Sequence, residues 1–353
     1  MLRHFALLLS LAIACAFAQT AAAKPIHEES FVPIGGIPQW ITITGSDDAN
    51  PVVLFLHGGP GDAMSPGADS LFAGWDKDFT LVQWDQRGAG RTYGKSGPAI
   101  APTMTMQRMT DDGIEVAEYL KRHLHKPKII LTGGSWGSVL GVLMAHTRPD
   151  LFYAYIGQAQ LVNWWQGVSV SYARVLQLAE AAKDQQTVAA LKAVGPPPWK
   201  TALPQWRVFR KAEQAYQAKL ATVPDAQVQI AAAYASPTER KQYSDADDFS
   251  AFQFFLGGRQ PNAKEDLHVI PLTGPLTKVD LPALGTAFQI PIYIVQGGAD
   301  LTAPPELARA YFDSIKAPRK QFFLVPGAGH QLNRPSLDVV HKILLEQVKP
   351  LAK

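Results

Sequence analysis

The stretch LTGGSWGSVLG, residues 131–141, places three glycines within two positions of one serine. Apolar residues precede it at Ile129 and Ile130 and follow the serine, so the pattern predicts a strand that runs directly into a helix. In that context the segment GGSWG fits the pattern G-x-S-x-G of a sharp turn that exposes a serine hydroxyl. We therefore predict that Ser135 is a nucleophile. The backbone N–H of Trp136, at the start of the helix, is then a candidate donor to an oxyanion.

A serine becomes an effective nucleophile only when a base takes its proton. His330 in VPGAGHQL follows a late apolar run across a glycine-rich turn, which makes it the candidate base. Asp300 in YIVQGGADL follows the preceding apolar run and can hold the imidazole in the productive tautomer. The chain order serine, aspartate, histidine is the order expected for this hydrolase geometry.

Two glycine-containing loops follow early apolar runs and complete the predicted site. HGGPG, residues 57–61, supplies Gly59 as a second candidate oxyanion donor, because no side chain there blocks the approach of a substrate. DQRGAG, residues 85–90, has two open interpretations: a turn with a surface ion pair, or a loop that shapes the floor of the site.

Short apolar runs alternate with helical patterns along most of the chain, which predicts an α/β fold with a mostly parallel sheet and helices on both faces. The predicted strands are Pro51–Leu56, Phe79–Trp84, Pro127–Leu131, Tyr153–Ile156, Ile290–Val295 and Gln321–Val325. The predicted helices between them are Met106–Leu124, Trp136–His146, Glu306–Ile315 and Leu337–Val348.

The alternation stops between residues 161 and 284, where helical periodicity recurs at Ser171–Ala193 and Trp206–Leu220. We interpret residues 161–284 as a helical cap inserted between two strands of the sheet. The core then consists of residues 24–160 and 285–353. Four tryptophans in the predicted cap suggest that it shapes a substrate pocket, although such aromatics more often form the core of the cap itself.

Composition excludes several classes of function. Charged residues make up 18% of the chain and the formal net charge is +3, which gives no basis for binding nucleic acid. No segment after the N-terminus is apolar for long enough to span a membrane. We expect no cofactor. We also expect no metal site, because His123 and His125, the two histidines near a helix end, point to different faces.

The first 23 residues have the pattern of a secretory signal. A short basic start precedes an apolar stretch and small-residue cleavage sites, so we expect the mature chain to begin at Gln19 or Lys24 and to be exported. Cys15, the only cysteine, lies inside this segment and excludes a disulfide in the mature chain. Attachment of a lipid at Cys15 is the alternative, but the usual upstream leucine is missing.

Five motifs together resemble the proline iminopeptidase branch of the α/β-hydrolases: HGGPG, DQRGAGRT, GGSWGS, GGAD and GAGH. The match covers the mature chain outside the insertion. The resemblance implies an eight-stranded sheet with a helical cap after the sixth strand. It also implies Ser135 as nucleophile, Asp300 and His330 as its partners, and Gly59 and Trp136 as oxyanion donors.

The resemblance also implies cap glutamates that hold the free amino group of a substrate. A segment like IENHYF, which carries one of them, is absent here. The best acidic candidates for substrate binding are Glu213, Glu239 and Asp247. The predicted cap offers three further acidic candidates: Glu180, Asp245 and Asp248.

These observations predict a serine hydrolase that works through an acyl-enzyme, with a small molecule or short peptide as substrate. Release of N-terminal residues from small peptides is the leading hypothesis. An esterase, a lactonase or an amidase can use the same core, because a fold alone does not define the substrate. The non-enzymatic alternative is a binding protein that has lost its chemistry, but every catalytic position is filled.

Overall fold

The computed structural model describes residues 23–199, 202–258 and 271–352. The predicted signal, with Cys15, lies outside the described residues except for its last position.

Eight strands of the described residues form one sheet in the order β1-β2-β4-β3-β5-β6-β7-β8. The pairs β1–β2 and β2–β4 are antiparallel and all other neighbours are parallel, so the predicted α/β class is confirmed. The strands are β1 (Ile26–Ile34), β2 (Ile37–Gly45), β3 (Val52–Leu56), β4 (Thr80–Asp85), β5 (Ile129–Gly134), β6 (Phe152–Gln158), β7 (Ile292–Gly297) and β8 (Lys320–Val325).

The antiparallel pair β1 and β2 was not predicted from the sequence. β1 lies at the edge of the sheet and exposes much of its length, including His27 and Glu29. Continuous apolar runs indicate strands that are buried on both faces. An edge strand with one face exposed to solvent has no such run, so this signal does not reveal it.

Helices cover the sheet, and four of them lie in the described part of the segment between β6 and β7. The helices are α1 (Ala68–Leu71), α2 (Gly90–Ser96), α3 (Met106–His123), α4 (Trp136–Thr147), α5 (Trp164–Ala181), α6 (Gln185–Val194), α7 (Ala202–Leu220), α8 (Pro237–Leu256), α9 (Pro305–Ser314) and α10 (Arg334–Ile343). A π-helical turn, Leu344–Val348, extends α10.

Strand β3 shows why the sequence of a central strand is an unbroken run of apolar residues. Val52, Leu54 and Leu56 belong to one hydrophobic core, which α3 and α4 cover. Val53 and Phe55 point to the opposite core, which α10 covers. Alternate residues of a strand face opposite sides, so all five are buried. Each contributes about 1.5–3 kcal/mol through burial of its side chain.

Two parts of the helical segment differ from the prediction. The single periodic stretch at Ser171–Ala193 is two helices, because the side chain of Asp184 accepts a hydrogen bond from Thr187 N and begins α6 there. Helix α8 was not predicted, since its sequence is mostly polar and charged. Its start is stabilised by Ser236, whose hydroxyl accepts a hydrogen bond from Glu239 N at 3.1 Å.

Helix α8 packs on the loop that follows β4. The hydroxyl of Tyr243 donates to Asp85 Oδ2 at 2.8 Å, and the hydroxyl of Ser250 donates to the carbonyl oxygen of Gly88 at 2.9 Å. These polar contacts fix α8 above the carboxyl ends of the central strands, where a parallel sheet places its ligands.

Candidate active site

The turn between β5 and α4 holds Ser135 in an unusual backbone conformation. Its φ is 52° and its ψ is −119°, a region that residues with a side chain rarely adopt. The N–H of Ser135 donates to the carbonyl oxygen of Gln158 at 3.0 Å, which ties the turn to the end of β6. Backbone strain of this kind concentrates at functional sites, and here it lifts the serine above the sheet.

The glycines around the serine are required by close backbone contacts. A Cβ atom at Gly133 would lie 2.2 Å from the carbonyl oxygen of Gly137. A Cβ atom at Gly137 would lie 2.1 Å from the carbonyl oxygen of Leu56, at the end of the neighbouring strand. Both distances are far below van der Waals contact, so only glycine fits and the G-x-S-x-G pattern follows from the packing.

The three residues predicted as a triad lie together, although they come from three separate loops. His330 Nε2 is 2.9 Å from Ser135 Oγ. His330 Nδ1 is 2.9 Å from Asp300 Oδ2. With the Nδ1 proton donated to the carboxylate, Nε2 is free to accept the proton of the serine hydroxyl.

The carboxylate of Asp300 is fully buried and is held by three further donors. Its Oδ1 accepts from Thr302 N at 2.9 Å and from Ala303 N at 2.8 Å. Its Oδ2 accepts from Gln296 Nε2 at 3.2 Å. These bonds keep the carboxylate oriented toward His330.

Burial and charge act in opposite directions on His330. Burial alone would lower the pKa of the imidazole, but the charge and hydrogen bond of Asp300 outweigh it and raise the pKa above its ordinary value. Glu213 adds to this effect and Arg210 opposes it. The site therefore favours the imidazolium that forms when the serine loses its proton.

The loop that carries HGGPG lies beside the serine. A Cβ atom at Gly58 would be 3.5 Å from the Cβ of Ser135, and Gly59 lines the same cavity as the serine. Trp136 is the first residue of α4, whose N-terminal N–H groups have no partner within the helix. The role of Gly59 and Trp136 as oxyanion donors stays a prediction.

Gln86, from the DQRGAG loop, connects these two elements. Its side-chain carbonyl accepts from the indole Nε1 of Trp136 at 2.9 Å, and its amide donates to the carbonyl oxygen of His57 at 3.3 Å. Burial lowers the pKa of His57 to about 4, so this histidine is neutral. Its Nε2 accepts a hydrogen bond from Gln86 N at 3.2 Å, which is a structural contact beneath the site. The loop therefore supports the floor of the site.

The ion pair in the DQRGAG loop is buried, so its interpretation as a surface pair was wrong. Arg87 Nε donates to Asp112 Oδ2 at 2.7 Å, and the two side chains are 1% and 0% exposed. Asp85, the first residue of the motif, is equally buried, and burial raises its pKa to about 6.

A cavity of about 1220 Å³ opens above Ser135 and His330, between the sheet and the helices α5, α7 and α8. One wall is aromatic and apolar, and its residues are Trp164, Val168, Trp206, Phe209 and Phe255. The indoles of Trp164 and Trp206 lie 5.2 Å apart, and Phe209 packs beneath Trp206 at 5.8 Å. These aromatic residues of the segment between β6 and β7 thus form a small core and line the cavity at the same time.

The three acidic candidates for substrate binding have different environments. Glu213 lines the cavity but is buried and already bonded: its carboxylate accepts from Thr302 Oγ1 at 2.9 Å and from Arg210. Burial raises the pKa of Glu213 and Arg210 opposes that shift. Glu239 pairs with Arg91 at 3.3 Å and does not line the cavity.

Asp247 lines the cavity and is exposed to it. The walls of the cavity partly remove its carboxylate from water, and this desolvation, with repulsion from Asp62 and Asp248, raises its pKa to about 6. Of the three further acidic residues named from the sequence, Glu180 pairs with Lys192 and Asp245 pairs with Lys241 on the surface, and Asp248 is exposed next to Asp247.

Four residues of the site were missed from the sequence: Asp62, Arg210, Gln217 and Thr302. Asp62 follows HGGPG directly and faces the cavity, so its position next to the motif was an available signal. The other three contribute through contacts between α7 and the loop after β7, which no local pattern reveals.

The fold and the serine–histidine–aspartate arrangement define the class of protein. The sequence signature of the alpha/beta hydrolase fold matches residues 51–333, and the chain belongs to this family. It is a hydrolase that resembles the proline iminopeptidases.

Two relatives and one solved structure illustrate the similarity. A Bacillus subtilis protein named "probable aminopeptidase YbaC" is 30% identical over 306 residues, which cover 86% of this chain and 91% of that protein. A proline iminopeptidase of Arabidopsis thaliana is 39% identical over 108 residues, 30% of this chain and 26% of that protein. The crystal structure of a Mycobacterium smegmatis proline iminopeptidase superposes with a TM-score of 0.62 at 20% identity, covering 92% of this chain and all of that one, which shows the shared fold.

Within residues 23–199, 202–258 and 271–352, no group of three or more histidine, cysteine, aspartate or glutamate side chains is arranged to hold a metal ion. In the same part of the chain, none of the helices has the length and apolar character needed to cross a bilayer.

Proposed function

We propose that the protein is a serine hydrolase that works through an acyl-enzyme. Ser135 attacks the substrate carbonyl while His330 takes the hydroxyl proton, and Asp300 stabilises the imidazolium. His330 then gives the proton to the leaving group, and a water molecule activated by the same base releases the acyl group. The observation that carries this proposal is the pair of 2.9 Å contacts from the two ring nitrogens of His330 to Ser135 and Asp300.

The tetrahedral intermediate places negative charge on the carbonyl oxygen. We assign its stabilisation to the backbone N–H groups of Trp136 and Gly59, which flank the serine on the helix side and the HGGPG side. Removal of one such donor typically costs about 10²–10³ in kcat.

We further propose that the preferred substrates are small peptides or amides with a free N-terminus. The names of the relatives support this, and so does an acidic patch in the cavity that consists of Asp62 and Asp247. An ammonium group that leaves water needs a charged partner, since burial of an unpaired cation is too costly.

The acidic patch is close to the serine. The backbone of Asp62 pairs with Gly58 in an isolated antiparallel bridge, and Gly58 lies directly beside Ser135. Gly61 packs so closely on α8 that a Cβ there would be 2.8 Å from the Cα of Asp247. The same loop therefore brings both carboxylates to one side of the cavity.

The acidic patch is a better ammonium partner than the two glutamates. Both carboxylate oxygens of Glu213 already accept hydrogen bonds, and the adjacent Arg210 neutralises its charge. Glu239 is paired with Arg91 away from the cavity. Among the described residues, Asp62 and Asp247 form no ion pair, so their charge is available to a ligand.

The aromatic wall of the cavity supplies the other half of the recognition. Trp164, Trp206 and Phe255 form a cluster with ring centroids 5.2–6.1 Å apart. Such a wall binds an apolar side chain or a pyrrolidine ring through burial of apolar surface, while the polar groups on the opposite side fix its orientation.

Two experiments test the hydrolase step. Ser135→Ala should lose turnover by several orders of magnitude and keep its fold, as measured by steady-state kinetics and circular dichroism. A fluorophosphonate should label the wild type and not the variant. A Ser135→Ala protein with a tenth or more of the wild-type rate, or a wild type that the reagent does not label, would contradict the assignment.

The substrate class is tested with three matched substrates: a proline arylamide with a free amine, its N-blocked form and a p-nitrophenyl ester of equal size. The aminopeptidase proposal expects cleavage of the free-amine compound only, or with much the highest kcat/KM. Equal cleavage of blocked substrates or plain esters would replace it with an esterase, lactonase or amidase.

The acidic patch is tested with Asp247→Asn and the control Asp245→Asn, whose carboxylate pairs with Lys241 on the surface of the same helix. Loss of a charge-assisted contact of about 1.5–3 kcal/mol should reduce kcat/KM for the free-amine substrate about 10- to 100-fold. Ester cleavage should be unchanged. Because the pKa of Asp247 is about 6, KM for the free-amine substrate should rise as the pH falls below that value, and Asp247→Asn should abolish this rise. An Asp247→Asn protein that retains wild-type selectivity would contradict this role.

We also propose export of the mature chain, on the basis of the basic start, the apolar stretch and the small-residue cleavage sites in residues 1–23. N-terminal sequencing of the protein from the cell envelope should find Gln19 or Lys24 first. An intact Met1 on cytoplasmic protein would contradict export.

A further inference from the structure

The loop that carries Asp300 is held by a side chain of the cap segment on both sides of the aspartate. Gln217 of α7 donates from Nε2 to the carbonyl oxygen of Ala299 at 2.7 Å. Its Oε1 accepts from the N–H of Leu301 at 2.7 Å. One side-chain amide thus bonds the residue before and the residue after Asp300, as a neighbouring strand would do.

A second contact from the same face of α7 reaches the next residue of the loop. Glu213 accepts from the hydroxyl of Thr302 at 2.9 Å, and the N–H of Thr302 donates to Asp300 Oδ1 at 2.9 Å. Arg210 also donates to Thr302 Oγ1, at 3.3 Å. Positions 210, 213 and 217 are three and four residues apart, so they lie on one face of the helix.

The chain that follows α7 is bonded to the loop that carries His330. The N–H groups of Thr222 and Val223 donate to the carbonyl oxygen of Gly327 at 2.9 and 3.0 Å. The N–H of Ala226 donates to the carbonyl oxygen of Leu332 at 2.7 Å. Gln217 itself packs against this loop, since a Cβ at Gly329 would lie 2.7 Å from its Nε2.

The loop that carries Asp300 and the loop that carries His330 therefore share one support. Gln217 lies between them, with two bonds to the first and a close contact with the second. Helix α7 is part of the segment between β6 and β7, so this shared support lies outside the sheet.

We propose that Gln217 is a positioning residue for the reaction: through its two backbone bonds it holds Asp300 at the correct distance and angle from His330. This inference rests on the proposed serine hydrolase function. It assigns to Gln217 no contact with the substrate, because Gln217 does not line the cavity.

The expected consequences follow from the geometry. A misplacement of about 1 Å in a catalytic group can cost about 100-fold in rate, so loss of both bonds should reduce kcat by about 10- to 100-fold. KM should change little, since the acidic patch and the aromatic wall are untouched. The charged groups around His330 are Asp300 from the β7 loop and Arg210 and Glu213 from α7. A weaker contact with Asp300 should move the acid limb of the kcat/KM profile to lower pH.

The test compares Gln217→Leu with the control Gln214→Leu, which removes an exposed glutamine from the same helix. Rates are expressed per active site, by titration with the fluorophosphonate at long incubation, so that a smaller amount of folded protein does not count as slower chemistry. Gln217→Leu should show the lower kcat, the shifted acid limb and slower phosphonate labelling, and Gln214→Leu should show none of them.

Gln217→Met is a second variant, which keeps the approximate length and volume of the side chain, adds no charge and loses both bonds. Its kcat per active site should match that of the leucine variant or, where the leucine variant does not fold, lie clearly below wild type. A kcat per active site within twofold of wild type, with an unshifted pH profile, in whichever of the two variants folds, would overturn the proposal. That result differs from a failure of the proposed hydrolase function, because the latter would be shown by a Ser135→Ala protein that is still active.

Discussion

Replacement of Arg87 by methionine tests the buried framework beneath the active site. The guanidinium is 1% exposed and makes four hydrogen bonds: two to Asp112, one to the carbonyl oxygen of Gly35 at 2.7 Å and one to Thr103 Oγ1 at 3.0 Å. Methionine has a similar stem and fills most of the same space, so the change removes the charge and the donors and creates little cavity.

The magnitude follows from what remains around Asp112. Removal of one partner of a buried ion pair typically costs about 3–5 kcal/mol, because the other charge stays buried without compensation. Here Arg108 Nε still donates to Asp112 Oδ1 at 2.8 Å, and Gln39 Nε2 still donates to Oδ2 at 2.9 Å. Because of these two bonds, we expect the free energy of unfolding to fall by the lower value, about 3 kcal/mol. This is a large part of the free energy of unfolding of a typical domain, which is about 5–15 kcal/mol.

Equilibrium urea unfolding measures this loss, with Arg148→Met as the control. The pair between Arg148 and Asp150 is 38% and 59% exposed, and exposed pairs contribute about 0–1 kcal/mol. The double variant Arg87→Met/Asp112→Asn should lose less than the sum of its single variants, because it leaves no unpaired buried charge. A loss below about 1 kcal/mol for Arg87→Met, equal to the control, would refute the reasoning.

Three further outcomes follow from the site. Asp300→Asn should lower kcat by about 10⁴, because an amide does not hold the imidazole in the productive tautomer; single-turnover kinetics measure it, and a loss below tenfold would contradict the triad. Gly137→Ala would place a Cβ 2.1 Å from the carbonyl oxygen of Leu56, so we expect a lower Tm and lost phosphonate labelling, and a variant with normal values would contradict the packing argument. Because Asp300 keeps the pKa of His330 above its ordinary value, kcat/KM should fall as the pH drops through that raised pKa and the base becomes protonated; a profile that is flat through neutral pH to pH 5 would exclude His330 as the base.

The sequence alone was sufficient for the α/β class, six of the eight strands and the proximity of Ser135, Asp300 and His330. Each of these depends on a local signal. Strands buried on both faces read as short apolar runs, and the turn at Ser135 demands glycine at fixed positions because backbone atoms approach within about 2 Å of where a Cβ would be. The positions of Asp300 and His330 follow from the ends of the last two strands, since parallel strands bring their carboxyl ends to one edge.

The environment of each acidic side chain was decided only by the tertiary structure. Glu213 and Glu239 both lie on helices of the same segment, yet one is buried beside the triad with Arg210 and the other pairs with Arg91 outside the cavity. Asp62 faces the cavity beside Asp247, although 185 positions separate them in the chain. The physical reason is that helical periodicity determines which residues share a face, whereas the angle and depth at which a helix packs on the sheet depend on long-range contacts, such as those of Tyr243 and Ser250 with the loop after β4.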